Sequence, residues 1–218
     1  MSPAELVEAG AILARHGLVT AFGHLSVRRA DHMLITAAGP LGMASTSCVL
    51  VPLDTDTLPS GVPLEAWLHL AVYRARADVG AVCRAQPEEA TALAAAGVRI
   101  GPLTGHAVLA GAPVPVSPDA VLVRDAAIAA RSIAALGDSS ALILRGNGAI
   151  TVADRLGRAV TRMWLLARAA RSVALAASVG SPHDLSAEEI ASWRTVADEL
   201  LDRIWRHLCT PDGSEPRP

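Results

Sequence analysis

The apolar positions of this chain switch repeatedly between helical and alternating spacing. Leu6, Ala9, Ile12 and Leu13 recur at three and four residues, which predicts a helix over 3–16 closed by Gly17. A hairpin-like region follows, 19–27 and 32–36, around the turn Arg-Arg-Ala-Asp. Residues 37–48 read as a Gly/Ala/Ser-rich loop, 48–53 as a short strand and 54–61 as turn. Pro63 opens a helix through about Arg76, with Leu64, Trp67, Leu68, Ala71 and Val72 inward. Residues 79–84 form a buried strand, and 87–96 a helix ended by Gly97. Residues 98–117 alternate short strands with Gly and Pro, and 119–136 reads as an amphipathic helix. Strands at 141–144 and 149–152 flank a Gly-Asn-Gly turn. Long helices are expected over 155–178 and 186–209, before a tail, 210–218, expected to be disordered. Strands interleaved with helices and no strong linker predict one α/β domain over 1–209.

Composition narrows the options. With 51% hydrophobic residues but one Phe, one Tyr and four Trp, the core must be aliphatic. A formal charge of −2 gives no footprint for nucleic acid or an anionic membrane. No 18-residue apolar run is free of charge, and Met-Ser-Pro-Ala-Glu-Leu-Val-Glu is acidic and helical rather than secretory. Cys48, Cys83 and Cys209 make no disulfide framework, so the expected setting is the reducing cytoplasm. All 19 basic residues are Arg. Without a Lys amine, Schiff-base and pyridoxal-phosphate chemistry have no nucleophile.

Five ordered blocks carry a more specific signal. They are Gly23-His24-Leu25-Ser26-Val27-Arg28, Leu34-Ile35-Thr36-Ala37-Ala38-Gly39, the stretch 63–91 with Glu65 and Arg84-Ala-Gln86, Tyr73-Arg74-Ala75-Arg76-Ala77-Asp78-Val79 within it, and Ile143-Leu144-Arg145-Gly146-Asn147-Gly148. Together they resemble the class II aldolase/adducin family over roughly residues 5–180. The resemblance implies a three-layer α/β/α sandwich on a mainly antiparallel sheet, a homo-oligomer (a tetramer), and an acid/base role at Glu65. It also implies a catalytic metal held by three His. Those three positions are Arg84, Gln86 and Asn147 here. Arg cannot ligate, and amide oxygens suit hard cations better than transition metals. The expectation is no metal and no cofactor. A cage rebuilt from His24, His106 and Cys83 is the remaining metal alternative, although Cys83 should face away from Arg84 and Gln86. The family's phosphate-binding Asn and Ser/Thr are His24 and Ala38 here, and its paired Ser are Pro63 and Leu64. Little beyond loop N–H groups near Gly23 and Gly39 remains for a phosphate, and that end of the site reads as apolar.

The candidate residues carry a bland reading beside the functional one. Glu65, near a helix start, is favoured there by the helix dipole alone, yet burial would raise its pKa into acid/base range while Arg84 pulled the other way. Arg84 and Gln86, two apart on a strand, share a face. There a guanidinium fork would bind a carboxylate or enolate oxygen in place of a Lewis acid, unless Arg84 is merely paired with Glu65 or Glu88. Asn147 belongs to a tight turn and, by the resemblance, shares the Arg84 volume. His24 is a candidate proton shuttle. His69, one turn beyond Glu65, reads as a packing residue behind the site, and Cys83 as an apolar filler. Gly23, Gly39 and Ser26 are candidate substrate contacts. His106, in a Gly-flanked loop, is a candidate contact to a neighbouring subunit's pocket. Two functions follow. One is a metal-independent enzyme, a lyase or isomerase, acting on a small non-phosphorylated carbonyl or carboxylate compound through an enolate-type intermediate. The alternative is a non-catalytic, adducin-head-like oligomeric binding module. Polar rather than aliphatic replacements at the three His positions favour the enzyme, because unpaired buried polar groups are costly.

Overall fold

A computed structural model describes residues 2–43 and 46–210 of the 218. The expected tail falls almost wholly outside the described residues. Six strands form one antiparallel sheet in the order β3-β2-β1-β4-β6-β5: β1 His24–Arg29, β2 His32–Thr36, β3 Cys48–Pro52, β4 Ala81–Ala85, β5 Ala141–Ile143 and β6 Ala149–Ala153. The central strands alternate with period two between two cores. Leu25, Val27, Ala81, Cys83, Ala85, Ala149 and Ala153 face one side. Met33, Ile35, Val82, Ile150 and Val152 face the other. Helices α1 (Pro3–Arg15), α3 (Glu88–Ala95), α6 (Leu156–Val179) and α8 (Ala197–Cys209) cover the first side. Helices α2 (Ala66–Ala75) and α5 (Ala126–Ala134) cover the second. This is the expected three-layer arrangement of the class II aldolase fold. No described helix is long and apolar enough to cross a membrane.

Four local expectations are corrected. Residues 98–117 are not a run of short strands. They hold helix α4 (Gly105–Ala110), capped by the Thr104 side chain, and one isolated bridge, Val116 to Ile143. The helix expected over 119–136 begins only at Ala126, where Asp125 accepts the Ile128 N–H at 2.8 Å. The expected helix 186–209 is two, α7 (Ala187–Thr195) and α8, broken at Val196. The strand expected from Val19 starts at His24. On α6, Leu156, Val160, Met163 and Val173 are buried by this chain's own helices, whereas Trp164, Ala167 and Ala176 are half-buried.

Candidate active site

Register on the sheet assembles the site. His24 of β1 pairs with Arg84 of β4, and Ser26 pairs with Val82. These residues share the α2 face, because Leu25 and Cys83 between them point into the opposite core. Cys83 is therefore buried filler on the other side of the sheet. Above the site face, α2 presents His69 and Tyr73, and Glu65 occupies the turn that leads into the helix rather than its first turn proper. Its own carbonyl accepts the Leu68 N–H at 2.9 Å, so the carboxylate still stands at the positive end of α2. On the far side, Gly146 and Gly148 take left-handed φ of 73° and 80°, leaving Asn147 free of that strain. A Cβ at Gly148 would meet the Ala85 carbonyl at 2.3 Å, so the turn lies tight against the end of β4.

Glu65 is the hub. Its Oε1 accepts from the Asn147 amide at 2.6 Å, and its Oε2 lies 3.0 Å from Arg84 Nη2 and 3.3 Å from His24 Nε2. Arg84 Nη2 also donates to Asn147 Oδ1 at 2.8 Å. Arg84 is only 2% exposed, and its Nε and Nη1 have no hydrogen-bond partner among the described residues. Of the two pairings considered for Arg84, the structure makes the one to Glu65. Burial alone would raise the Glu65 carboxyl. The His24 hydrogen bond, the Arg84 charge and the Asn147 amide outweigh it, and hold the group below its ordinary value. Of the two opposed influences expected at Glu65, burial and the Arg84 pull, the partners prevail. Burial lowers Arg84, with Glu65 opposing, and burial lowers His24, against the Glu65 hydrogen bond.

Behind Glu65 runs a second set of contacts. His24 Nδ1 lies 2.7 Å from His69 Nε2, His69 Nδ1 lies 2.6 Å from Ser26 Oγ, and Ser26 Oγ lies 2.8 Å from the Tyr73 hydroxyl. Burial, then the charges of His24 and Arg84, push His69 well below its ordinary value. Arg28 donates to the carbonyls of Val79, Tyr73 and Arg76 and stacks over Tyr73, so it secures the end of α2 rather than touching the site.

A cavity of about 610 Å³ opens onto this group, lined by Gly23, His24, Glu65, Arg84, Gln86 and Asn147. Its rim is apolar, with Phe22, Leu64 and Leu122 all more than half exposed. Gly39 also lines it, but the N–H groups of Ala37 and Ala38 are taken by the Ser47 and Gly61 carbonyls. Ser26 does not reach the cavity, because it is fully buried against His69 and Tyr73. The loop placement of His106 is corrected: it sits on α4, and it does not line this chain's own cavity. The sequence reading missed Leu122 and Arg124, which the extended segment before α5 brings to the rim. The Asp125 capping pattern is the available signal. It also gave Tyr73 no role beyond its place in a matching block.

The residues present do not fit a transition metal. At the three positions stand a guanidinium bonded to Glu65 and Asn147, and two amides. Among the described residues no three His, Cys, Asp or Glu side chains gather as a ligand set, including the cage considered from His24, His106 and Cys83.

The Class II Aldolase and Adducin N-terminal domain matches residues 4–174. The chain belongs to this family. It is similar to a 3,4-dihydroxyphthalate decarboxylase of Terrabacter sp. strain DBF63, 32% identical with 93% of each chain covered. It is also similar to one of Arthrobacter keyseri, 31% identical with 90% of this chain and 88% of that one covered. Among solved structures, an L-fuculose 1-phosphate aldolase superposes with a TM-score of 0.80 at 22% identity, covering 91% of this chain and 95% of that one. The L-fuculose-1-phosphate aldolase of Thermus thermophilus gives a TM-score of 0.69 at 29% identity, covering 82% and 97%.

Proposed function

We propose that this protein is a decarboxylase of small hydroxylated aromatic carboxylates, working without a metal. The observation that carries the reading is Arg84: a buried guanidinium with two unpartnered N–H-bearing nitrogens, bonded to Glu65 at the floor of an apolar-rimmed cavity. A buried cation of this kind is costly unless an anion completes it. The decarboxylase relatives supply the substrate class, and the bonded loop amides argue against a phosphate.

Glu65, held ionised, takes the proton of a ring hydroxyl ortho or para to the departing carboxylate. Charge flows into the ring, and Glu65 returns the proton to the ring carbon that bears the carboxylate. That carbon–carbon bond then breaks, its electron pair re-forms the aromatic phenolate, carbon dioxide leaves, and the phenolate takes a proton from water. The net change is ArCOO⁻ plus H⁺ to ArH plus CO₂. Arg84, with Asn147 and Gln86, stabilises the oxyanion that exists only during the cycle, in the role a Lewis acid would otherwise fill. His24 donates to Glu65 and orients it. Phe22, Leu64 and Leu122 cover the ring faces.

The test is incubation of purified, exhaustively chelated protein with 3,4-dihydroxyphthalate. Release of CO₂ with one monocarboxylate product is expected. Absence of turnover before chelation rejects the substrate class, and turnover lost on chelation and restored by one divalent metal rejects metal independence. The enzyme is further proposed to be a homotetramer, which light scattering at micromolar concentration checks; a monomer refutes it.

A further inference from the structure

We infer that His69 is a positioning residue that locks His24 in one neutral tautomer, with its proton on Nε2 facing Glu65 and the cavity. The inference deepens the proposed function, because His24 matters to catalysis only if Glu65 does.

One buried chain of contacts fixes the protons. At the cavity end, Glu65 is an ionised carboxylate held by Arg84 and Asn147, and it can only accept. The 3.3 Å contact from His24 Nε2 to Glu65 Oε2 therefore places a proton on Nε2. A neutral imidazole then has an acceptor at Nδ1. Its partner there is His69 Nε2 at 2.7 Å, which must donate. His69 Nδ1 is then the acceptor, so the Ser26 hydroxyl 2.6 Å away donates to it. At the far end, the Ser26 oxygen, its own proton given to His69, accepts from the Tyr73 hydroxyl at 2.8 Å. Every donor has one acceptor, and no member is left over.

Two alternatives fail. A doubly protonated His24 would need the His69 tautomer and the Ser26 and Tyr73 hydroxyls all reversed, and it or a doubly protonated His69 would put a second buried cation beside Arg84, which burial opposes. Transfer of the proton along the chain to the substrate would leave a tyrosinate at a fully buried Tyr73, whose hydroxyl burial pushes far above its ordinary value. The chain thus holds a tautomer rather than supplying protons. The groups facing the pair are Glu65, Arg84, Ser26 and Tyr73.

The test uses the intact protein labelled with ¹⁵N-histidine. Long-range ¹H–¹⁵N spectra at pH 7 are expected to show His24 and His69 neutral and protonated on Nε2. A His24 signal from the Nδ1–H form or from imidazolium overturns the inference, whatever the protein's substrate proves to be. His69→Leu keeps the volume but removes the donor. His24 Nδ1 then loses the donor that enforces the Nε2–H form, so the spectra are expected to show a mixture of His24 tautomers and kcat to fall roughly tenfold to a hundredfold, with KM little changed. His69→Gln, which keeps an N–H near the Nε2 position, is expected to recover most of the rate. An unchanged single Nε2–H tautomer of His24 in folded His69→Leu, or equal loss in Leu and Gln variants, overturns it. If 3,4-dihydroxyphthalate is not turned over, the proposed function fails, while the spectra still decide the tautomer.

Discussion

Glu65 stands between two halves of one site that are built on opposite terms. On one side, His24, His69, Ser26 and Tyr73 form a neutral chain in which every side-chain donor meets an acceptor. On the other, Arg84 is charged, buried and left with Nε and Nη1 unpartnered among the described residues. A completed buried network rigidifies, whereas an incomplete one carries a cost that a water, an ion or a ligand offsets. In the proposed function the two halves do different work: the neutral half orients Glu65, and the charged half binds the substrate anion.

The largest effect is expected at the hub. Glu65→Gln keeps the shape but removes the base, and kcat should fall by about 10³ or more with the melting curve nearly unchanged. Near-normal turnover in that variant would remove Glu65 from the chemistry. Next comes the charged half. Arg84→Lys should cost roughly 10²–10³ in kcat, because an ammonium cannot present the planar fork to both Asn147 and the substrate oxyanion. Steady-state kinetics of the folded variant check this.

The neutral half makes its own prediction in stability. His24 and His69 have lowered folded pKa values, His69 strongly, so as pH falls the unfolded chain takes up protons first. Their contribution is complete above about pH 6.5 and is lost below it, at up to about 1.4 kcal/mol per pH unit for each histidine. Glu65 is also lowered, but its contribution is lost only as pH falls below about 4.3 toward its folded value. Urea midpoints from pH 7 to pH 5 should therefore fall more steeply for the wild type than for His69→Gln. Parallel slopes would show that His69 is not held neutral. The smallest effect is expected at the rim. Leu122→Ala removes part of an exposed apolar wall and should raise KM by roughly fivefold, equivalent to about 1 kcal/mol, with kcat unchanged.

How much of this was legible in the sequence varies by residue. Glu65, Arg84, Gln86 and Asn147 were readable because the blocks that carry them resemble the family's, and all four line the cavity. The helix α1 and the hairpins β1–β2 and β5–β6 were equally visible in the apolar periods and turn residues. The family resemblance also anticipated the layer order. Helix α4 was not visible, since Gly105-His106-Ala107-Val108 has no amphipathic period long enough to distinguish six helical residues from a strand. The break at Val196 was hidden for a similar reason: no Gly or Pro marks it.

The sequence by itself determined which chemical groups are available: no Lys amine, a carboxylate near a helix start, a guanidinium and an amide two apart on a strand, and no His at the three positions where the resemblance implies a metal. Only the tertiary structure decided their state. The sign of the Glu65 shift depends on the balance between burial and three converging partners from β1, β4 and the 146–148 turn. Likewise, Ser26, His69 and Tyr73 become one chain only because β1 and α2 are packed so that a strand residue meets two helix residues four apart. Composition and periodicity are local properties, whereas desolvation and hydrogen-bond completion are set by what the rest of the fold brings within about 3 Å.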